Sequence, residues 1–536
     1  MKRNYYLALV AVLIATFSYG QDRGVLTGGF QSDIQFYTDD ELIGAISPEE
    51  KMASNNYMKL DYTLGSFSAG IRYEAYLPPL LGYPPEYEGN GIANRFISYS
   101  NDFLSVTAGN FYEQFGSGLI LRTYEERLLG IDNSIDGIRI NLRPISGFEI
   151  TGVYGKQRSY FELGEGIVRG LDTKIGINDL LALKMKTKFD VGFSMVSKYQ
   201  NYTGPDETIP EIVNAYSGRV SVKRESVYLD VEYVEKEVDP TSANNYSYKR
   251  GRALLANVGY SIKGLGLTIN LRRLENMDFR SERDATLTSL WINYLPAETK
   301  QHGYALANIY PYATQAFGEI GGQFTLSYLF ARNSSLGGKY GTSIEVNFSH
   351  YNTLKNKVNP LLVLDDPFNT EFFTLGDTTL YSDFNVEVKK KINKNVKLSF
   401  MYIAQEYNKQ QVEGGGISEN VRTNIGAIEF QYKLQNRKSI RAELQHLWTK
   451  QDKKNWAAGL IEFNLLPSWS FYVFDQYNYG GEDQVHYYQG GLSYTKSSTR
   501  IALGYGRQRG GLLCVGGVCR QVPAASGLNV SISTSF

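Results

Sequence analysis

Along most of this chain apolar and polar residues alternate one for one over segments of roughly ten residues. Ile428, Phe430, Tyr432 and Leu434 alternate with Glu429, Gln431 and Lys433; Leu229, Val231 and Tyr233 alternate with Asp230 and Glu232. Ile440, Ala442 and Leu444 oppose Arg441, Glu443 and Gln445, and Ile138, Ile140 and Leu142 oppose Arg139, Asn141 and Arg143. Successive side chains of a strand point to opposite faces, so each segment reads as a strand with one oily wall and one charged wall. After the first twenty positions no apolar run approaches the ~20 residues of a membrane-spanning helix. A soluble β-sandwich shows the same alternation, but three features favour a closed transmembrane barrel. The strands are long enough to cross an apolar band of ~25 Å when tilted. Aromatic residues gather near expected strand ends, as in Phe471, Tyr472 and Phe474, where interfacial girdles belong. The connections alternate short and long.

Short turns are expected at Gly65–Ser66, Asn101–Asp102, Pro144–Gly147, Lys263, Ile392–Lys394, Gln435–Lys438 and Ser497–Thr499. Long connections fall near 38–55, 78–92, 158–168, 199–211, 237–250, 275–316, 352–378, 409–419 and 509–525. Outer-membrane barrels have short periplasmic turns and long external loops. With 113–134 taken as one long loop, the pattern predicts an all-β, antiparallel up-and-down barrel of about 24 strands, within roughly 20–26. An even count returns both ends of the barrel to the periplasmic side. In the closing strand Leu528, Val530, Ile532, Thr534 and Phe536 share one face, and Asn529, Ser531, Ser533 and Ser535 the other. Val530, Ile532 and the terminal Phe536 resemble the C-terminal signal read by the outer-membrane assembly machinery, which is therefore an expected partner during biogenesis.

The first residues read as a signal peptide, 1–20. Lys2 and Arg3 precede an apolar stretch from Tyr5 to Phe17, and Ser18 and Gly20 place cleavage before Gln21. Gln at that position argues against a lipoprotein. Residues 21–536 then form one barrel domain in the outer membrane, with lipid and lipopolysaccharide around it. Its first strand starts near Gly24, so no plug domain is expected ahead of it. The 55 basic residues balance the 55 acidic ones, which leaves no general preference for anions, cations or nucleic acid.

Cys514 and Cys519 lie five residues apart in a glycine-rich loop, and an exported chain meets an oxidising compartment. They read as a disulfide that staples the loop, with no catalytic role. Four histidines are present, His302, His350, His446 and His486, and alternation puts His350 and His446 on apolar faces. Gly116–Ser117–Gly118 is not the nucleophile elbow of a hydrolase. No zinc-type His-Glu-x-x-His occurs, and the acidic groups Asp39–Asp40–Glu41 and Asp365–Asp366 lack the spaced ligands of a calcium loop. No enzyme, cofactor or metal site is expected. On polar faces, Arg72, Glu74, Arg95 and Arg139 are candidate lumen residues. The segment 113–134, the best candidate for an inward loop, adds Glu113, Arg122, Glu125, Glu126, Arg127 and Asp132. These charges either line a constriction, as charge rings do in channels, or pair to stiffen the wall. The long loop 275–316, with Arg280, Glu282, Arg283 and Asp284, is expected to fold over the mouth or hold a short helix.

Four stretches carry a family resemblance: Gly70–Glu74, Gly109–Gly118, Leu129–Gly137 and the Cys514–Arg520 loop before a terminal Phe. Together they resemble a family of Bacteroidota outer-membrane barrels known as a domain of unknown function. The resemblance covers most of the chain and implies location and fold; it carries no assigned activity or ligand residues. Two function classes fit. One is a porin-like channel for small hydrophilic solutes, which requires a continuous water path past the lumen charges. The other is a non-enzymatic scaffold or conduit of an envelope protein export, surface display or assembly machine. That reading requires a lumen filled by loops or by an envelope protein partner, and the apolar stretch Leu361–Leu364 is a candidate contact surface.

Overall fold

In the computed structural model, which describes residues 24–357, 368–414, 419–465 and 467–536, one antiparallel sheet of 24 strands closes on itself. The signal-peptide reading, Leu361–Leu364, Asp365–Asp366 and Gly415–Gly416 lie outside the described residues. Each barrel strand pairs with the barrel strand next in sequence, and the last, Ala525–Ser535, pairs with the first, Val25–Thr38. Closure leaves no unpaired sheet edge. At the seam the Phe536 N–H donates to the Gly28 carbonyl (3.0 Å) and the Gly28 N–H to the Phe536 carbonyl (2.8 Å). A Cβ at Gly28 would collide with the Phe536 ring, so the bare backbone there lets the terminal aromatic lie against the first strand.

The alternation maps directly onto the two faces. Ile428 is opposite Leu444 and Glu429 opposite Glu443, and opposed residues in an antiparallel pair share a face. Leu444 is 70% exposed and Ile461 62% exposed on the outer wall, while Glu443 and Gln445 are buried on the inner one. Apolar residues face outward and polar residues inward, the arrangement of a barrel in lipid.

The long loops lie at one end and most of the short turns at the other, with three differences from the sequence-based expectation. The 158–168 stretch is no long loop. Strands Phe148–Ser159 and Glu162–Gly176 meet in a two-residue turn, with Tyr160 at φ 57°. The glycines that gave the stretch a loop-like composition serve a contact instead, since a Cβ at Gly166 would strike the Ser281 carbonyl of a loop inside the barrel. On the turn side, 177–186 carries a short helix (Ile177–Leu180), and 331–341 is also longer than a tight turn. The third difference is the aromatic run at Trp469–Asn478. Phe471 faces lipid, but Tyr472 and Phe474 point into the lumen, because consecutive strand residues cannot share a face.

Replacing Leu444 by Arg is expected to lower unfolding stability in lipid by about 2–4 kcal/mol, whereas Arg at lumen-facing Ser493 should shift it by less than about 1 kcal/mol. Urea titration of the refolded barrel in vesicles measures both.

Candidate functional site: the occluded lumen

Toward the loop end several strands turn apolar residues inward. Val153, Val168, Val196, Val213, Val234 and Leu274 all point into the barrel there and are buried. They pack against Phe115, Leu119, Ile120 and Leu121 of the inward 112–134 segment and against Phe279 and Ile292 of the 276–317 loop. Fully burying one such side chain contributes about 1.5–3 kcal/mol, so the apolar strand ends draw the loops inside.

The 276–317 loop crosses the lumen. Beside its own strand, the Asn293 side chain donates to the carbonyls of Met277 (2.7 Å) and Leu119 (3.1 Å). Farther on, Lys300 Nζ pairs with Glu345 (2.8 Å), and His302 Nε2 lies 2.9 Å from buried Asp383. The loop then forms the short helix Ala305–Asn308, where the Leu306 N–H donates to Gln445 Oε1 at 2.9 Å. Tyr310 reaches Asp452 at 3.1 Å. The expected short helix is therefore present, inside the mouth and not over it.

The disulfide Cys514–Cys519 braces a small hairpin, Gly511–Val515 with Val518–Val522. Its tip, Gly516 and Gly517, takes positive φ (59° and 85°) and touches Tyr294 and Ala297 so closely that a Cβ would clash. The Gly516 carbonyl accepts from the Ala297 N–H (3.0 Å) and the Tyr294 hydroxyl (3.0 Å), and the Gly517 carbonyl accepts from the Thr314 N–H (3.1 Å). The staple thus holds the hairpin as a latch on the crossing loop.

The charges expected at a constriction are mostly brought together, but as pairs. Arg72 Nε meets Glu74 at 2.7 Å and its Nη1 meets Glu125 at 2.9 Å; a third nitrogen meets Asp132. Arg158 bridges Glu74 and Asp132, both at 2.6 Å. Arg139 pairs with Glu113, Arg127 with Glu125 (2.6 Å), and the Arg122 guanidinium lies 4.1 Å over the Tyr294 ring. The carboxylates of Glu74, Glu125 and Asp132 come within 4.8 Å of one another, and the two guanidinium groups supply the positive charge among them. Arg95 does not join. It is opposite Ile71, which puts it on the outer wall, where it reaches Asp136 at 3.0 Å. Arg158 was hidden from sequence reasoning because a register shift after Lys156 breaks the alternation that would have turned it outward.

Asp132 sits on the inward loop. Burial pushes its carboxyl up, but Arg158 and Arg72 outweigh burial and hold it below the usual carboxylate range. The remaining histidines serve packing: His350 stacks with Phe348, His446 lies tilted against Trp448, and His486 stacks with Tyr477 while bonding Asp475 at 2.7 Å.

On the turn side of the plug the lumen stays polar. A cavity of about 470 Å³ lies against Gly116 and Ser117, lined by Lys174, Asp190, Arg219 and Glu232. On the other side a cavity of about 860 Å³ opens among the loops, lined by Tyr83, Tyr160, Trp291, Tyr294 and Arg520. Between them the Arg122 N–H donates to the Ile292 carbonyl (2.9 Å) and the Tyr294 N–H to the Gly118 carbonyl (3.0 Å). The two loops knit into one layer.

Two outcomes follow from these contacts. Asp132→Asn leaves Arg72 and Arg158 short of a counter-charge and is expected to cost about 3–5 kcal/mol in loop docking. Acid should act in the same way: a depressed carboxyl stabilises the docked loop above its unfolded pKa of about 4 and loses that contribution as pH falls through the folded value. Hydrogen exchange at Ser134, whose N–H donates to Asp132 Oδ1 at 3.1 Å, reads both. Replacing both cysteines by Ser should loosen the latch by about 2 kcal/mol, seen as faster proteolysis within 511–522 while the barrel stays closed.

No curated protein matches the chain in sequence. Among solved structures it is similar to the P pilus usher PapC translocation pore, at a TM-score of 0.41 and 8% identity over 95% of this chain and 99% of that one. It is similar to the copper transporter OprC at 0.40 and 11%, over 97% and 82%. A BenF-like porin from Pseudomonas fluorescens matches at 0.35 and 12%, over 80% and 98%. At such identities and scores the likeness says nothing about role. The family model that matches is a family of unknown function, DUF6029, and it spans residues 1–536. This chain, a transmembrane barrel of 24 strands with its lumen closed by its own loops, belongs to that family.

Proposed function

We propose that the protein is a loop-gated, non-enzymatic channel for small hydrophilic solutes in a Gram-negative outer membrane, of the Bacteroidota type its motifs resemble. In this reading the signal peptide 1–20 is cleaved on export, and the assembly machinery inserts the barrel through Val530, Ile532 and Phe536. The observation that carries the reading is the build of the plug. It consists of segments from the loop side, held to the wall and to one another by hydrogen bonds and ion pairs such as Lys300–Glu345, between two cavities that each present charged side chains, Arg520 and Glu86 in one and Lys174, Asp190, Arg219 and Glu232 in the other. Contacts of this kind exchange for water when a loop swings out, whereas the wall hydrogen bonds do not. The filled lumen favours a second reading as well, a conduit or scaffold whose plug is displaced by an envelope protein partner.

In planar bilayers the native barrel is expected to show little steady conductance. A variant with 278–315 replaced by a short Gly-Ser linker should give large, stable steps. If that variant closes normally, judged by heat-modifiable migration on a gel, and still passes no ions, the channel reading fails. Retention of an envelope protein by the native plug would then support the conduit.

A further inference from the structure

On the outer wall a buried charged residue interrupts one apolar row. Tyr233, Leu254, Arg273 and Ile320 are opposed in successive strand registers, so Arg273 stands in a row of lipid-facing side chains. An outward Arg near a strand end would ordinarily extend into the interfacial water. Arg273 is instead 3% exposed. It is covered by the start of the long strand Thr370–Lys391, whose pairing with Thr342–Asn356 goes irregular beyond Tyr351. That segment lies over the outer wall. The Phe372 ring stacks on the guanidinium at 4.5 Å and reaches Tyr233 at 6.4 Å, four strands beyond Thr342–Asn356 and hence roughly 20 Å around the barrel.

Beneath Phe372 and Phe373 runs a groove of about 450 Å³, walled by Ile269, Leu271, Phe324 and Phe348, with Arg273 at its loop-side end. Ile269 lies four residues below Arg273, about 13 Å along the strand, close to half the apolar band of a bilayer. One leaflet's acyl chain has that reach. Arg273 Nη2 is engaged by Glu275 (2.9 Å) and the Thr370 hydroxyl (2.6 Å), but its Nε and Nη1 are buried without a hydrogen-bond partner. Two unsatisfied guanidinium donors next to a lipid-facing trough are costly unless an anion with an apolar tail completes them. With Glu275 and Thr370 held on Nη2, the N–H groups of Nη1 remain open to donate a charge-assisted bond to a phosphate oxygen.

We propose that this groove is a specific binding site for a phosphate-bearing membrane lipid, its headgroup phosphate on Arg273 Nη1 and one acyl chain under Phe372 and Phe373. The site depends on insertion of the barrel in a membrane and not on the channel reading, so it stands or falls separately from it.

Native mass spectrometry of the delipidated full-length barrel tests it, with phosphatidylglycerol and diacylglycerol of matched chains as probes. The native protein is expected to retain one phosphatidylglycerol, at least about tenfold more tightly than diacylglycerol. Arg273→Gln should abolish that preference, and Phe372→Ala with Phe373→Ala should weaken both lipids. Heat-modifiable gel migration reports closure of each variant independently. Equal retention of the two lipids by the native barrel, or equal retention of phosphatidylglycerol by native and Arg273→Gln proteins, overturns the proposal. Displacement of the lipid by millimolar inorganic phosphate alone would assign the site to free anion and overturn it too.

Discussion

Closure of the sheet is the constraint on which the rest of the molecule depends. Pairing Val25–Thr38 with Ala525–Ser535 satisfies the last edge and fixes a circumference of 24 strands. A barrel of that size encloses more space than its wall side chains can fill. The chain meets this by changing the character of its inward residues along the barrel axis. On the turn side they include Lys174, Asp190, Arg219 and Glu232. On the loop side Val168, Val196, Val213 and Val234, on four successive strands, form an apolar patch that is stable only when covered. The plug is the cover, and its position follows from where that patch lies.

Charges inside the plug obey a different economy from charges in an open pore. A guanidinium or carboxylate removed from water costs several kcal/mol unless it is paired and hydrogen-bonded. Arg72, Glu74, Asp132 and Arg158 meet that demand together, each contacting at least two of opposite sign. Such a cluster contributes little net stability but fixes one arrangement, because a shifted loop leaves buried charge unpaired. The loops are thereby held in one register against the wall while their contacts stay exchangeable with water. The disulfide-braced tip at Gly516 and Gly517 works by shape, since only glycines admit the approach of Tyr294 and Ala297.

The outer wall shows the same logic in reverse. Lipid accepts Leu444 and Ile461 without help, but it does not accept Arg273, and the chain spends part of its longest strand to shield that residue. Where shielding leaves donors unmet on a lipid-facing wall, a lipid is the neighbour available to meet them.

The alternation of Ile428–Leu434 or Ile440–Gln445, the turn signals and the closing strand were sufficient by themselves for an all-β barrel, for about 24 strands and for which wall meets lipid. These are local properties, set by a two-residue period and a short loop. Sequence also marked Arg72, Glu74, Glu113, Arg122, Glu125 and Arg139 as inward, without saying whether they line water or pair with one another. Only the tertiary structure decided that, because partners such as Arg72 and Asp132 are brought together by a loop whose path depends on the opposite wall. It also decided that Arg95 faces lipid, that Arg158 joins the cluster through a register shift, and that 158–168 is a turn packed on a loop. Periodicity fixes the face a residue takes only while the register holds, and it carries no information about what arrives from across the lumen.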